Sequence, residues 1–513
     1  MMAASTAVDE GADVLLIDRG SVGTGTNSAI SNGLFTGPTS SYAEDEYIRD
    51  TLEIGKRINS IPVVKTVARE AGDAIQSFKL LGCELRELRE CYVYKSSHED
   101  SIRGIGMVRR IAHMVKTHER ISVLTGFYTT AIRSEGDGFY SVEGYGRDGR
   151  QMSICAPAVV LAAGGAGAIY ARTDNQGTIM GLGYHLAAKA GLELRDMEFV
   201  QFYPIAFADP GMPSMMIYRP YPDEARIVNS RGEDLIEKYR LGNIENAASK
   251  RRDEFSAVMY RENQDGRVFM DFRHVPDPLW EKYPLSVFRK LNFDFRRNRF
   301  AVSPVTHFFM GGVPIDETAQ TSLPGLFACG EVTWGLHGAN RRGGNALMEC
   351  LVFGRIAGRN AARWAVQQAL RPKAPRDLPV RGAPSSQSCR ERLKELRTAL
   401  RELAWRTAGI IRDQELMQEG LLELGRIDEE LHRTIPQNTA ERRMKDDTSS
   451  GAFVLRAVLT AGTARKESRG SFFRTDFPEV DNLNWRKNSS LSYDPSTGEF
   501  KLHYEPARSE SNE

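Results

Sequence analysis

Asp13-Val-Leu-Leu-Ile-Asp18 is a short apolar run that closes on an acid, the pattern of a buried parallel strand. Ahead of it, Met1 to Gly11 is alanine-rich and reads as a helix stopped by Gly11. A helix followed by such a strand is the second half of a βαβ dinucleotide-binding unit. The first strand and the Gly-x-Gly-x-x-Gly turn that open such a unit do not stand ahead of this helix. A unit without that turn is expected to hold its ligand weakly. An acid in the position of Asp18 accepts hydrogen bonds from ribose hydroxyls, and strands also end in Asp simply to be solvated.

Arg19 to Gly37 is rich in Gly, Ser, Thr and Asn. It reads either as a flexible loop or as a loop wrapped on a ligand, since glycine permits close approach and hydroxyls donate. Helices with charged faces follow to about Leu81. A strand-rich stretch, 121–161, ends in Ala158-Val-Val-Leu-Ala-Ala-Gly-Gly-Ala-Gly167, a buried strand entering a glycine turn. From Tyr203 to Ala301 the chain is Pro- and Arg-rich with mixed short elements, as expected of an inserted domain. Core-like sequence returns at Gly325-Leu-Phe-Ala-Cys-Gly-Glu331, and Leu347 to Ala369 reads as a helix. Arg371 to Ser388 reads as a linker. Arg390 to about Glu467 has helical periodicity through Leu393, Leu396, Leu400 and Leu403. Pro506 to Glu513 is polar and reads as a frayed end.

The chain has 513 residues, too many for one small core, and a formal charge of +1 from 68 basic and 67 acidic residues. That balance exerts no global pull toward nucleic acid or membrane. The apolar stretches are strand-length, so direct membrane insertion is not expected. No leader pattern precedes the first helix, and six scattered cysteines suit a reducing cytoplasm. No Cys-x-x-Cys and no His-Glu-x-x-His occurs. The expectation is therefore no metal and no cluster of the chain's own.

Several blocks in order resemble the flavoprotein subunits of succinate dehydrogenase and fumarate reductase, together with L-aspartate oxidase. They are 159–167, Met197-Glu-Phe-Val-Gln-Phe202, Arg252-Asp-Glu-Phe-Ser256, Thr306-His-Phe-Phe-Met-Gly-Gly312, Gly330-Glu331, Gly335-Leu-His-Gly-Ala-Asn-Arg341 and Glu467-Ser-Arg-Gly470. The resemblance implies an α/β protein. A Rossmann-like FAD-binding domain, its first strand missing, would occupy 1–202 and 302–370. An α+β capping domain would occupy 203–301, a linker 371–389, a C-terminal helical domain 390–485 and a tail 486–513. It also implies an FAD-dependent oxidoreductase that moves a hydride between flavin N5 and a carbon next to a substrate carboxylate. L-aspartate oxidase is the alternative enzyme. A non-catalytic, truncated flavoprotein-like interaction subunit is the alternative of another class.

On this resemblance Arg341 and His307 hold the substrate carboxylate, Arg341 through its planar two-pronged fork. Arg252 matches the arginine that moves the proton, crowded by Lys250, Arg251 and Arg261 and oriented by Asp253. The cofactor would meet Asp18, Arg19, Gly20, Thr26, Asn27, Ser28, Gly33, Ala163, Gly164, Gly165 and Glu331. The start of the helix at Asn345, Ala346 and Leu347 would face it too. Asn27 stands where respiratory members link FAD through a histidine, so FAD is expected without a covalent bond. Leu182 replaces an aspartate near the cofactor. Tyr203 and Ile205 replace the family's His and Thr, and Ile217 and Tyr218 its Thr and Glu, at the far end of a dicarboxylate. Tyr203, Tyr218 and Arg219 would have to rebuild that end. The expected partners are a small carboxylate and an iron–sulfur or other electron-carrier protein, with no nucleic acid. The expected location is the cytoplasm, or the inner face of a membrane through a partner.

Overall fold

The structure is a computed structural model describing residues 1–98, 100–136, 138–368, 375–378 and 388–507. The apolar run closing on Asp18 is a strand, Val14–Asp18, paired in parallel with Ile121–Thr125. Val159–Leu161, the run entering the glycine turn, pairs in parallel with Leu326–Ala328. Parallel neighbours need a long crossover, and between Asp18 and Ile121 helices supply much of it. Ile61–Leu80 buries Val64, Val67, Ala68, Ala71, Ile75 and Phe78 along one face. Asn345–Gln367 begins two residues before the expected start, and the helix Met2–Asp9 lies against it. In the helix Arg103–Thr117, Met107, Val108, Ile111 and Val115 recur at helical spacing and are buried.

The strand-rich stretch contains a meander of Tyr128–Ser134, Tyr140–Tyr145 and Gln151–Ala156. Arg376–Asp377, inside the expected linker, pairs with the last of these strands. Residues 371–374 and 379–387 of that linker lie outside the described residues.

A second hydrophobic core is built from residues 203–305. Its sheet runs Val200–Phe207, Phe300–Phe309, Val268–Asp271, Arg226–Val228, all antiparallel. Val200–Phe207 is buried at every position, so both its faces are covered and no alternation marks it. Both expected boundaries of the insert, 202/203 and 301/302, therefore fall inside continuous strands. Phe207, Phe272, Phe288, Phe295 and Phe300 pack ring against ring beneath this sheet.

Helices Arg390–Thr407, Gln414–Arg433 and Thr439–Ala464 pack on one another, with Leu393, Leu396, Leu400 and Leu403 inward. The segment 486–513 is more than a tail. Lys487–Asp494 and Glu499–Pro506 form a hairpin that pairs with Leu194–Arg195. Its serines are buried because they satisfy acids: Ser489 Oγ donates to Glu198 at 2.7 Å and Ser490 Oγ to Glu193 at 2.8 Å. Arg465, wholly buried, donates to Glu198 and Glu467 at 2.8 and 2.9 Å. Residues 508–513 lie outside the described residues. Among the described residues no helix is long and apolar enough to cross a membrane.

Candidate active site

The site forms where the insert's sheet meets the turn before the helix Asn345–Gln367. Gln201, on the fully buried strand, fixes that turn. Its Nε2 donates to Asn340 Oδ1 at 2.8 Å and to the Arg341 carbonyl at 2.9 Å, and its Oε1 accepts from Arg341 Nε at 3.1 Å. The Arg341 guanidinium stacks on Phe308, 4.6 Å from the ring centre. Among the described residues no carboxylate is ion-paired with it. Burial, with Arg252 close by, pushes its pKa down to about 9. A buried cation without a counter-ion is costly, so this fork is suited to an incoming anion.

Arg252 opens the helix Arg252–Asp265 and is itself buried. Its Nη1 donates to the Arg341 carbonyl at 3.4 Å and its Nε to the Ala248 carbonyl at 3.3 Å. Burial pulls its pKa down, and Arg219 adds to the effect. The crowding cations are thus Arg341 and Arg219. Arg251 is taken by Glu254, and Arg261 stacks on Phe473. Asp253 does not orient Arg252 by a hydrogen bond; its Oδ2 accepts from Asn340 at 2.5 Å.

His307 comes from the strand Phe300–Phe309, and its Nδ1 lies 2.8 Å from Asp174 Oδ2. Burial lowers the His307 pKa below its usual value, against the pull of Asp174. At neutral pH the ring is therefore neutral, Nδ1–H donates to Asp174, and Nε2 is left an acceptor. Only the protonated ring donates from Nε2 to a carboxylate. Carboxylate affinity should therefore rise as pH falls toward the lowered His307 pKa, with up to one proton taken up per ligand bound. Calorimetry in buffers of different ionisation heat measures that uptake. His307→Gln, which cannot titrate, should flatten the rise.

On the cofactor side, the strand Val159–Leu161 opens into Ala162 and Ala163, both exposed, and Gly164 with φ 75° and open space around it. A Cβ on Gly165 would stand 2.1 Å from Glu331 Oε1. That close approach sets Glu331 beside the turn, where burial raises its pKa to about 7. Asn27 Nδ2 donates to Asn175 Oδ1 at 2.6 Å and to Glu331 Oε2 at 3.5 Å, and Asn27 Oδ1 accepts from the Gln176 amide. Asn345 is wholly buried, yet neither its Nδ2 nor its Oδ1 has a partner. It starts its helix after Gly344, in the left-handed region at φ 85°, with no side-chain cap; Ala346 and Leu347 complete the first turn. Free N–H groups and a positive helix end beside an unpartnered amide suit a polar, electron-rich ligand edge. The open turn, Glu331 and Asn345 fit FAD.

Other expected cofactor residues have local work. Arg19 donates twice to Asp447 at 2.8 Å and once to the Thr178 carbonyl, tying its loop to the helix Thr439–Ala464. Thr26 caps the short turn Asn27–Ile30, and the Ser28 carbonyl accepts from Ser31. Asp18 Oδ1 accepts the Gly20 amide at 2.7 Å. Gly33 sits against Arg103 and Tyr94.

At the other end of the site, Tyr203 lies 5.6 Å from the His307 ring. Tyr203 Oη and Tyr221 Oη are 2.7 Å apart, and Tyr221 donates to the Ile217 carbonyl. Tyr218 Oη donates to the Ile30 carbonyl at 2.6 Å, bridging the insert to the Asn27–Ile30 turn. Ile205 and Ile217 are buried. Asp174, Gln201, Asn175 and Tyr221 escaped the reading of residues. Gln201 alone carried a signal, the Met197–Phe202 block.

Residues 1–347 match the family described as FAD binding domain, and 397–512 match fumarate reductase flavoprotein C-term. The chain is 28% identical to one component of the fumarate reductase (CoM/CoB) of Methanothermobacter marburgensis, over 87% of this chain and 86% of that one. It is 29% identical to an L-aspartate oxidase of Agrobacterium fabrum, over 96% and 92%. In structure it is similar to quinol fumarate reductase FrdA of E. coli, with a TM-score of 0.84 at 24% identity, covering 99% of this chain and 94% of that one.

Proposed function

Since this chain belongs to the FAD-binding oxidoreductase family that includes fumarate reductase flavoproteins and L-aspartate oxidases, we propose that it reduces or oxidises a carbon–carbon bond next to a substrate carboxylate. FAD, when bound, supplies or takes two electrons and one proton as a hydride, and the second proton passes through the chain. The observation that carries the reading is the convergence of Arg341, His307 and Arg252, with Arg341 free of any carboxylate partner among the described residues. Arg341 and protonated His307 hold the carboxylate, and Asp174 fixes the ring that does so. Arg252, desolvated and donating to the Ala248 and Arg341 carbonyls, moves the proton. Asn27, Glu331, Asn345 and the 163–165 turn hold the cofactor. Electrons enter or leave through a separate carrier, an iron–sulfur protein or another acceptor, because the sequence has no cluster motif of its own.

L-aspartate oxidation is the second reading, favoured by the 96% coverage of this chain in that comparison. It needs a site for a second carboxylate. Anaerobic turnover with a reduced dye and a panel of 2-enoates, against aerobic turnover with L-aspartate, separates the two. Reduction of an enoate supports the first, and peroxide formation from aspartate the second.

FAD is held without a covalent bond. The Asn27 amide is no nucleophile, and it is already bonded to Asn175, Gln176 and Glu331. Acid precipitation should leave the flavin in the supernatant. Flavin that stays with the washed pellet contradicts this.

A further inference from the structure

We infer that the substrate is a monocarboxylate with an uncharged remote end, and that Glu245 enforces this by keeping Arg219 paired. The inference rests on the proposed anchoring of one carboxylate by Arg341 and His307, and it concerns the other end of the same molecule.

A second carboxylate would need a donor or a cation there. The groups nearby include Tyr203, Tyr218, Tyr221, Ile205, Ile217 and Arg219, with Arg103 stacked on Tyr283 beside Tyr218. Each phenol is already bonded: Tyr203 to Tyr221, Tyr221 to the Ile217 carbonyl, Tyr218 to the Ile30 carbonyl. The isoleucines offer only hydrocarbon. Arg219 lies near Tyr203, Tyr221 and Arg252, so it is a cation able to serve; Arg103, by contrast, stacks on the Tyr283 ring, 4.0 Å from its centre. Its Nε donates to Glu245 Oε1 at 2.7 Å, and its Nη2 donates to the same oxygen. Glu245 Oε2 also accepts the Tyr221 amide, at 3.3 Å. The carboxylate is therefore held from two sides and keeps the guanidinium neutralised.

Asp174 adds a negative charge close to Tyr218. A second anion here would lose its water while Arg219 stays paired with Glu245 and Arg103 stays stacked on Tyr283. The tyrosine faces offer an apolar, π-rich wall to a neutral tail instead. Glu245 touches no substrate; it positions Arg219 and so sets specificity.

The test is calorimetric titration of the flavin-loaded protein with trans-cinnamate, crotonate and fumarate. Both monocarboxylates should bind at least about tenfold tighter than fumarate, the scale of one poorly paired charge. Glu245→Gln should free Arg219 and tighten fumarate by about tenfold while leaving cinnamate within about twofold, a gain that mere loss of structure does not produce. Arg219→Ala should leave fumarate binding as weak as before. Fumarate as the tightest ligand, with that affinity lost in Arg219→Ala, overturns the inference and leaves the carboxylate anchor standing. Cinnamate binding that is unchanged in Arg341→Ala overturns the anchor and this inference with it.

Discussion

Arg252→Ala should lose about ten-thousand-fold in kcat, the upper end of what a positioned acid contributes, while carboxylate affinity changes by no more than about threefold. The asymmetry follows from the geometry. Arg252 hydrogen-bonds to two backbone carbonyls, and the anchoring fork belongs to Arg341. Losing Arg252 removes a proton source and leaves the carboxylate clamp in place. Burial and the nearby charges of Arg219 and Arg341 make its proton easier to release than that of a solvated guanidinium. Arg252→Lys should recover part of the rate, since an ammonium also gives up a proton. The check is anaerobic turnover beside equilibrium binding of the same 2-enoate. Near-normal turnover in Arg252→Ala would move the proton role to another group.

Arg341→Lys should cost about 2–4 kcal/mol of transition-state stabilisation. That is about 30- to 1,000-fold in kcat/KM. The positive charge is kept, but three features of the guanidinium are not. Nε no longer reaches Gln201 Oε1 as part of a rigid plane, the stack on Phe308 is lost, and one point charge replaces two parallel donors. Gln201 would then hold the turn through Asn340 and the residue 341 carbonyl alone. The loss should fall on binding and turnover together, which separates this variant from Arg252→Ala. A change of less than about threefold in kcat/KM would show that bidentate geometry is not used.

Much of the fold was legible because it follows local rules. An apolar run ending in Asp18, and another ending in a glycine turn at 164–165, are strands in the structure. The leucine spacing in 393–403 is the buried face of a helix. The hairpin 487–506 escaped because its inward residues are Asn488, Ser489 and Ser490, buried to satisfy acids distant in sequence. Binary patterning does not see that kind of burial, although the Thr497-Gly498 turn was there to be read.

The site divides the same way. Arg341 and His307 sit in specific blocks, and the structure brings them within electrostatic reach of each other and of Arg252. Their partners are invisible to spacing. Asp174 is a single acid 133 residues before the histidine it pairs with. Glu245 lies 26 residues after the arginine it neutralises. Both follow from how the insert's sheet is set against the rest of the chain, and no local pattern encodes that.

The most direct test is a crystal structure of the flavin-loaded protein with 3-phenylpropanoate bound. The carboxylate should lie within hydrogen-bonding distance of Arg341 and His307, with Arg252 facing the adjacent carbons. The ring should rest toward Tyr203 and Tyr218, and Arg219 should still be paired with Glu245. A carboxylate held by Arg219, with Arg341 and His307 left untouched, would contradict the account.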